Sequence, residues 1–314
     1  MNFPFQLISG TDFDVIGFGT NAVDYLIRVP EYPAFDSKVE LINYLEAAGG
    51  EAASTMVGLR RLGFRTAYAG RFGDDHAGEI GLRSLIDEGV DVSNAEIVPE
   101  ARTQVAFILI DARNGERTVI WQRDKRLGYA DIDAPVMVAA QGRILHMTPH
   151  DTLACIRMAR AAREKGVIVS IDVDNVFDHI EELLPLVDIC IASAAFPEKL
   201  LGVADKQTAM REMASRFGCA VVGITLGAAG SMFLSQGAFI ETPGFDVPGE
   251  CVDTTGAGDA FRAGFLCGVL NGDGVEESSR IANAVAALKC RGLGARAALP
   301  DVSDLSLLIP AFIA

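Results

Sequence analysis

A chain of 314 residues, half of them hydrophobic, can bury a sizeable core as one large α/β domain or as a domain plus a lid. Its 42 acids against 27 bases give a net charge of −15, which argues against a basic nucleic-acid-binding face. No apolar run reaches the roughly 20 residues of a membrane span. The start, Met1-Asn2-Phe3-Pro4-Phe5, lacks a signal peptide's basic and apolar segments, and the 6 scattered cysteines show no zinc spacing. A soluble, cytoplasmic protein with reduced cysteines is expected, binding neither nucleic acid nor membrane.

In chain order, residues 13–19 read as a buried strand ending in glycines, and 25–29 and 37–46 as alternating strands. Gly49-Gly50 opens a helix that Gly63 closes; a strand at 66–70 and a helix at about 76–88 follow. Within Gly70-Arg71-Phe72-Gly73-Asp74-Asp75, one aspartate should cap that helix, a structural role. Residues 103–110 and 116–122 form a hairpin about Asn114-Gly115. Beyond 143, strands at 143–147, 167–173, 187–192, 220–225 and 231–235 alternate with helices at 151–165, 206–217, 259–270 and 276–291. That alternation predicts a mostly parallel sheet covered on both faces. The β-rich patches 24–46 and 103–126 interrupt it and are read as one small sheet forming a lid. The main α/β domain then comprises 1–23, 47–102 and 127–314.

The most informative stretch is Val252-Asp253-Thr254-Thr255-Gly256-Ala257-Gly258-Asp259-Ala260-Phe261. A Gly-Ala-Gly loop opening a helix leaves backbone N–H groups unpaired where the helix dipole also favours negative charge. Asp259 stands beside that cradle as a carboxylate able to accept a hydroxyl proton. Anion hole plus base is the equipment for moving a phosphoryl group onto an alcohol. A bare Gly-x-Gly-Asp serves equally well as a left-handed turn with an ordinary capping aspartate; the full string sets this one apart. It closely resembles the C-terminal signature of the ribokinase-like (PfkB) carbohydrate kinases.

The resemblance spans about residues 12–303 and implies an α/β/α sandwich with a small β lid. It makes Asp259 the catalytic base and the amides of Gly256, Ala257 and Gly258 the phosphate cradle. Gly17-Phe18-Gly19-Thr20-Asn21-Ala22-Val23-Asp24 is similar to the family's first-strand motif, whose aspartate binds sugar hydroxyls. Gly49 and Gly50 match its sugar-lining glycine pair, and Asp36 and Ser54 complete the expected substrate set. On the ATP side the resemblance implies Thr225, Gly227, Gly230 and Asn283, with Arg117 reaching phosphate from the lid. Asp253 matches the place where many members hold a monovalent cation, so ATP, Mg2+ and K+ are the implied cofactors.

One departure stands out. The family's Asn-x-x-Glu, which organises magnesium, is replaced by Ser193-Ala194-Ala195-Phe196, so the magnesium ligand is unassigned; Glu198 and Asp172 are the nearby acids. The same departure, with strings such as Ala287-Leu288-Lys289-Cys290, gives a likeness to the ketohexokinase and sulfofructose kinase branches. Trp121 and Thr148 align where sulfofructose kinases bring Asn and Arg to the sulfonate, so a sulfonated or phosphorylated acceptor is disfavoured, and Glu51 repels one further if it faces the pocket. The expected function is ATP-dependent phosphorylation of a small sugar, ketose or pentose-like. The alternatives are a nucleoside kinase, with Tyr44, Phe107 and Trp121 stacking on a base, and a non-catalytic sugar or nucleotide sensor. A homodimer through the lid is the candidate assembly, since a small sheet exposes both an edge and a face.

Overall fold

A computed structural model describes residues 1–113 and 115–310. The chain enters the body through β1 (Phe13–Phe18), leaves it for β2 (Ala22–Val29) and β3 (Asn43–Gly49), and returns through α1 (Glu51–Arg61) to β4 (Thr66–Ala69). After β5 (Arg71–Gly73), α2 (His76–Asp87) and β6 (Glu96–Val98), the strands β7 (Val105–Asp111) and β8 (Arg117–Gln122) return to β2. Next come α3 (Val136–Ala139), β9 (Gly142–Met147), α4 (Thr152–Glu164), β10 (Ile168–Val173), α5 (Ile180–Leu183) and β11 (Ile189–Ser193). The last part holds α6 (Phe196–Leu201), α7 (Lys206–Phe217), β12 (Val221–Thr225), β13 (Ser231–Ser235), β14 (Ala238–Thr242), α8 (Ala257–Asn271), α9 (Val275–Lys289) and α10 (Val302–Leu305).

Eight strands form the main sheet in the order β14-β13-β12-β11-β10-β9-β1-β4. The six from β12 to β4 run parallel, and β13 and β14 close the edge antiparallel. Successive residues of each strand serve opposite faces. Val15, Ile144, Ile168 and Ile189 pack with α1, α8 and α9, whereas Ile16, Leu145, Val169 and Cys190 pack with α4 and α7. That double covering is why the strands read as continuous apolar runs. Helix α8 is buried without a break from Ala260 to Leu270, which explains an apolar pattern too broad for a surface helix.

The two β-rich patches do form one sheet, in the order β3-β2-β7-β8. Its bounds differ from expectation. Strand β2 starts at Ala22 and stops before Pro30, whose ring removes a ladder donor; 37–42 is exposed loop, and pairing with β3 resumes only at Asn43. Strands β7 and β8 pair antiparallel as a hairpin, with Ile110 opposite Arg117. Asn114 of the expected turn lies outside the described residues, while Gly115 has a φ of 72°. Asp75 caps α2 by accepting from the Gly78 N–H at 2.9 Å. All 6 cysteines are free, and among the described residues no helix is long and apolar enough to cross a membrane.

Candidate active site

The carboxyl ends of the parallel strands face the inner side of the small sheet across a cavity of about 600 Å³. A second cavity, of about 390 Å³, lies beside it, and the two share Arg117, Thr225 and Gly258 as lining. The loop ahead of α8 forms the partition. Gly256 stands at its turn with a φ of 75°, and a β-carbon there would sit 2.7 Å from the Cα of Ala295, so only glycine fits. Helix α8 then begins at Ala257, and the N–H groups of its first turn have no intrahelical acceptors. Asp259 sits in that turn and lines the larger cavity; Ala257 lines the smaller one. From β8 the Arg117 guanidinium crosses to the loop and donates to Thr254 Oγ1 at 2.7 Å. The residues expected for phosphate chemistry therefore converge at one junction.

The larger cavity is strongly acidic. Asp24, Glu51, Asp172, Asp174 and Asp259 line it, with Arg262 among them. Burial raises Asp259 well above the usual carboxylate range; Asp172, Glu51 and Asp24 push the same way, and Arg262 opposes them. Such an aspartate holds a proton far better than a free one, as a base toward an alcohol requires. Arg262 is one helical turn beyond Asp259, with its Nη2 2.7 Å from Asp172 Oδ1 and 3.1 Å from the Ile191 carbonyl. Its Nε is buried without a hydrogen-bond partner among the described residues. Glu51 takes a contact from His150 Nε2 at 3.1 Å. Although burial works against both charges, this pairing holds Glu51 low and His150 high. His150 stands edge-on to Trp121 and Phe177, with ring centroids 6.3 and 5.0 Å away.

Of the expected substrate residues, Asp24 and Gly50 reach this cavity. Asp24 is buried on β2, which pushes its pKa up to about 6 against the pull of Arg296. Gly49 lies against the Asp24 carboxylate, where any β-carbon would collide with it. Ser54 is corrected: it is fully buried in α1, 3.2 Å from Arg296 Nε, and does not line the cavity. Asp36 is corrected too, being exposed on the loop between β2 and β3 with a φ of 56° and outside both cavities. Thr225, Gly227, Gly230 and Asn283 all line the smaller cavity. Asn283 is anchored there by donating to Ser231 Oγ at 3.1 Å and to the Thr242 carbonyl at 3.3 Å.

The monovalent cation expected at Asp253 does not fit. Asp253 Oδ1 accepts from the N–H and the hydroxyl of Thr255, each at 2.8 Å, and Oδ2 accepts from the Gly294 N–H at 2.7 Å. Its carbonyl accepts from Lys289 Nζ at 2.9 Å. A metal would find these oxygens already engaged and an ammonium beside them. For magnesium, Glu198 is exposed and away from the cavity, and Asp172 is engaged by Arg262; Asp174, at the rim, is the cavity acid nearest the substituted motif, its carbonyl taking the Ser193 hydroxyl at 3.3 Å.

Reasoning from sequence missed Arg262, Arg296, His150 and Phe177. Arg262 carried a usable signal, three residues beyond Asp259 and hence on the same helix face. Arg296 is a buried cation tying the Gly49 carbonyl, at 2.5 Å, to Ser54 and to Ser84, and nothing local in the sequence marks it.

The family model of the pfkB carbohydrate kinases matches residues 15–302. An ATP-dependent ribose-1-phosphate kinase of Halopiger xanaduensis is 32% identical over 280 residues, covering 88% of this chain and 91% of that one. A ribokinase of Haemophilus influenzae is 30% identical over 290 residues, covering 90% and 94%. Among solved structures, an adenosine kinase from Sinorhizobium meliloti superposes with a TM-score of 0.80 at 25% identity, covering 96% of this chain and 99% of that one. Family match and fold agree: the chain belongs to the pfkB family of carbohydrate kinases and is a phosphotransferase with an alcohol group as acceptor.

Proposed function

We propose that the protein transfers the γ-phosphate of ATP to a hydroxyl of a small, uncharged sugar held in the larger cavity. The meeting of two cavities at Gly258 and Arg117, with Asp259 on the acceptor side, carries this reading. Asp24 and the backbone at Gly50 orient the acceptor; a carboxylate at the Asp24 position can take two neighbouring hydroxyls. Asp259 receives the hydroxyl proton as the P–O bond forms, late in a loose transition state that asks little of the base. The amides of Gly256 and Gly258, with the Arg117 guanidinium, meet the developing charge on the phosphoryl oxygens, while the Ala257 N–H is turned back to the Thr254 carbonyl at 3.2 Å. Thr225, Gly227, Gly230 and Asn283 hold the nucleotide in the smaller cavity. Magnesium, entering with ATP, supplies charge neutralisation along the phosphates, and Asp174 is the acid we assign to its water shell.

The carboxylates around the acceptor disfavour one that already carries a phosphate or sulfonate, because like charges in a desolvated cavity repel strongly. The small sheet acts as the lid: its strands fall within residues 22–49 and 105–122, a little wider at the first patch than the expected 24–46, and closure excludes water from the transfer. Its outer face carries Tyr25 stacked on Phe107 at 5.1 Å, with Ile120 and Tyr44 exposed, which supports a homodimer through the lid. A monomeric mass in sedimentation would remove that part of the reading.

A nucleoside acceptor is the second reading. Trp121 and Phe177 on either side of His150 make an aromatic wall suited to a flat base. Tyr44 and Phe107, expected to share that stacking, do not line the cavity.

The test is ADP release from MgATP across ketoses, aldoses and nucleosides, with Asp259→Asn alongside. Turnover on a sugar that falls by roughly 10²- to 10⁴-fold in the variant supports the proposal. Turnover confined to nucleosides selects the second reading. ATP binding without turnover on any acceptor refutes both and leaves a sensor.

A further inference from the structure

Lys289, the last residue of α9, has no exposed surface at all. A lysine is almost never fully buried unless its charge is met. Here Nζ donates to the Asp253 carbonyl at 2.9 Å and approaches the Gly292 carbonyl at 3.5 Å. The same short segment is held further by the Cys290 carbonyl, which accepts from the N–H of Val252 at 2.9 Å. Asp253 in turn grips Thr255, the residue immediately before Gly256, so the ammonium sits directly behind the loop that presents its amides to phosphate. A cation in that place does two things. It fixes the Asp253 and Gly292 carbonyls, and it balances the buried Asp253 carboxylate.

We infer that the Lys289 ammonium is the built-in monovalent cation of the phosphate loop, so that this enzyme needs no K+. The inference rests on the phosphotransfer reading for its meaning, though not for its test. A free K+ would need the Asp253 oxygens that Lys289, Thr255 and Gly294 already hold. It would also meet an ammonium within about 4 Å, a repulsion that weakens binding by roughly a thousandfold at an effective dielectric of 20. Lys289 acts through the loop and is a positioning residue.

The experiment compares KCl with tetramethylammonium chloride at equal ionic strength, on the native protein and on Lys289→Met. For the native protein, turnover should agree within about twofold in the two salts, and the thermal unfolding midpoint should not respond to K+. In Lys289→Met, turnover should fall by roughly tenfold or more and be restored saturably by KCl, with a K+-dependent rise in the midpoint. A native enzyme that requires K+, or whose midpoint rises with it, overturns the inference. So does a variant that is inactive in both salts while folded, or fully active without K+. Should the variant not fold, the native comparison decides alone. Should no acceptor be found, the midpoint measurements still decide, separating this inference from the proposed reaction.

Discussion

The buried pair Asp172–Arg262 offers the sharpest energetic test. The side chains are 10% and 5% exposed, and 2.7 Å separates Arg262 Nη2 from Asp172 Oδ1. At an effective dielectric of 20, that separation corresponds to about 6 kcal/mol of attraction. Desolvating the two ions costs several kcal/mol each, so the pair is close to neutral against two apolar residues. Breaking it on one side is different. Arg262→Met leaves a buried carboxylate uncompensated beside Glu51, Asp174 and Asp259, and the expected loss is about 3–5 kcal/mol of stability. Asp172→Leu should lose a similar amount, whereas the double variant should recover most of it while remaining catalytically poor. Urea unfolding followed by far-UV circular dichroism gives all four free energies. The sign with pH is fixed as well. Without Arg262, the folded-state pKa of Asp172, already raised by burial, rises further above its unfolded value. The Arg262→Met deficit is then largest above the variant's raised pKa and shrinks as pH falls toward about 7, where the native Asp172 carboxyl takes up its proton as well. A deficit below about 1 kcal/mol, or a double variant as unstable as the worse single one, would refute the reasoning.

The remaining predictions concern the site itself. Asp259 must be ionised to act and its pKa is raised, so kcat/KM should fall on acidification at a higher pH than an ordinary carboxylate would dictate. Glu51→Gln, which removes one of the charges raising Asp259, should move that limb to lower pH; an unmoved limb assigns it to another group. Gly256→Ala should cost about 1–2 kcal/mol from the left-handed backbone alone, with more from the clash at Ala295, and should lower kcat in steady-state assays. Arg117→Met should lower kcat by roughly tenfold to a hundredfold with the melting temperature nearly unchanged, since the side chain is exposed and donates to Thr254 at the site. Trp121→Ala should weaken any nucleoside acceptor by about 0.5–1.5 kcal/mol, read from KM, and leave a simple sugar almost untouched.

The parallel body was legible because its strands are buried on both faces and helices such as α7 and α8 stop at glycines. The loop at 252–259 was legible because its glycines, its acid and the apolar helix are contiguous. What stayed hidden depends on distance. Ser54 looked like a substrate residue next to Gly49-Gly50, yet it turns inward to Arg296, which lies 242 positions away. Asp36 looked equivalent to Asp24 by residue type, but the pairing of β2 with β3 ends before it and leaves it in solvent. Strand β14 escaped notice because Ala238–Thr242 is short and only partly buried, paired solely at the sheet edge. Lys289 had been read as one letter of a family string, and only burial reveals its charge as the feature that matters.

Strand β2 puts Asp24 and Tyr25 on consecutive residues, and consecutive residues of a strand point to opposite faces. The carboxylate lining the cavity and the aromatic ring on the outer surface are thus separated by a single backbone thickness. Whatever clamps the outer ring also stiffens the strand that presents the carboxylate, and whatever loosens it lets that carboxylate drift. On the proposed role of Asp24, a change made far from the chemistry, on the outward side of β2, would be felt first as a change in KM.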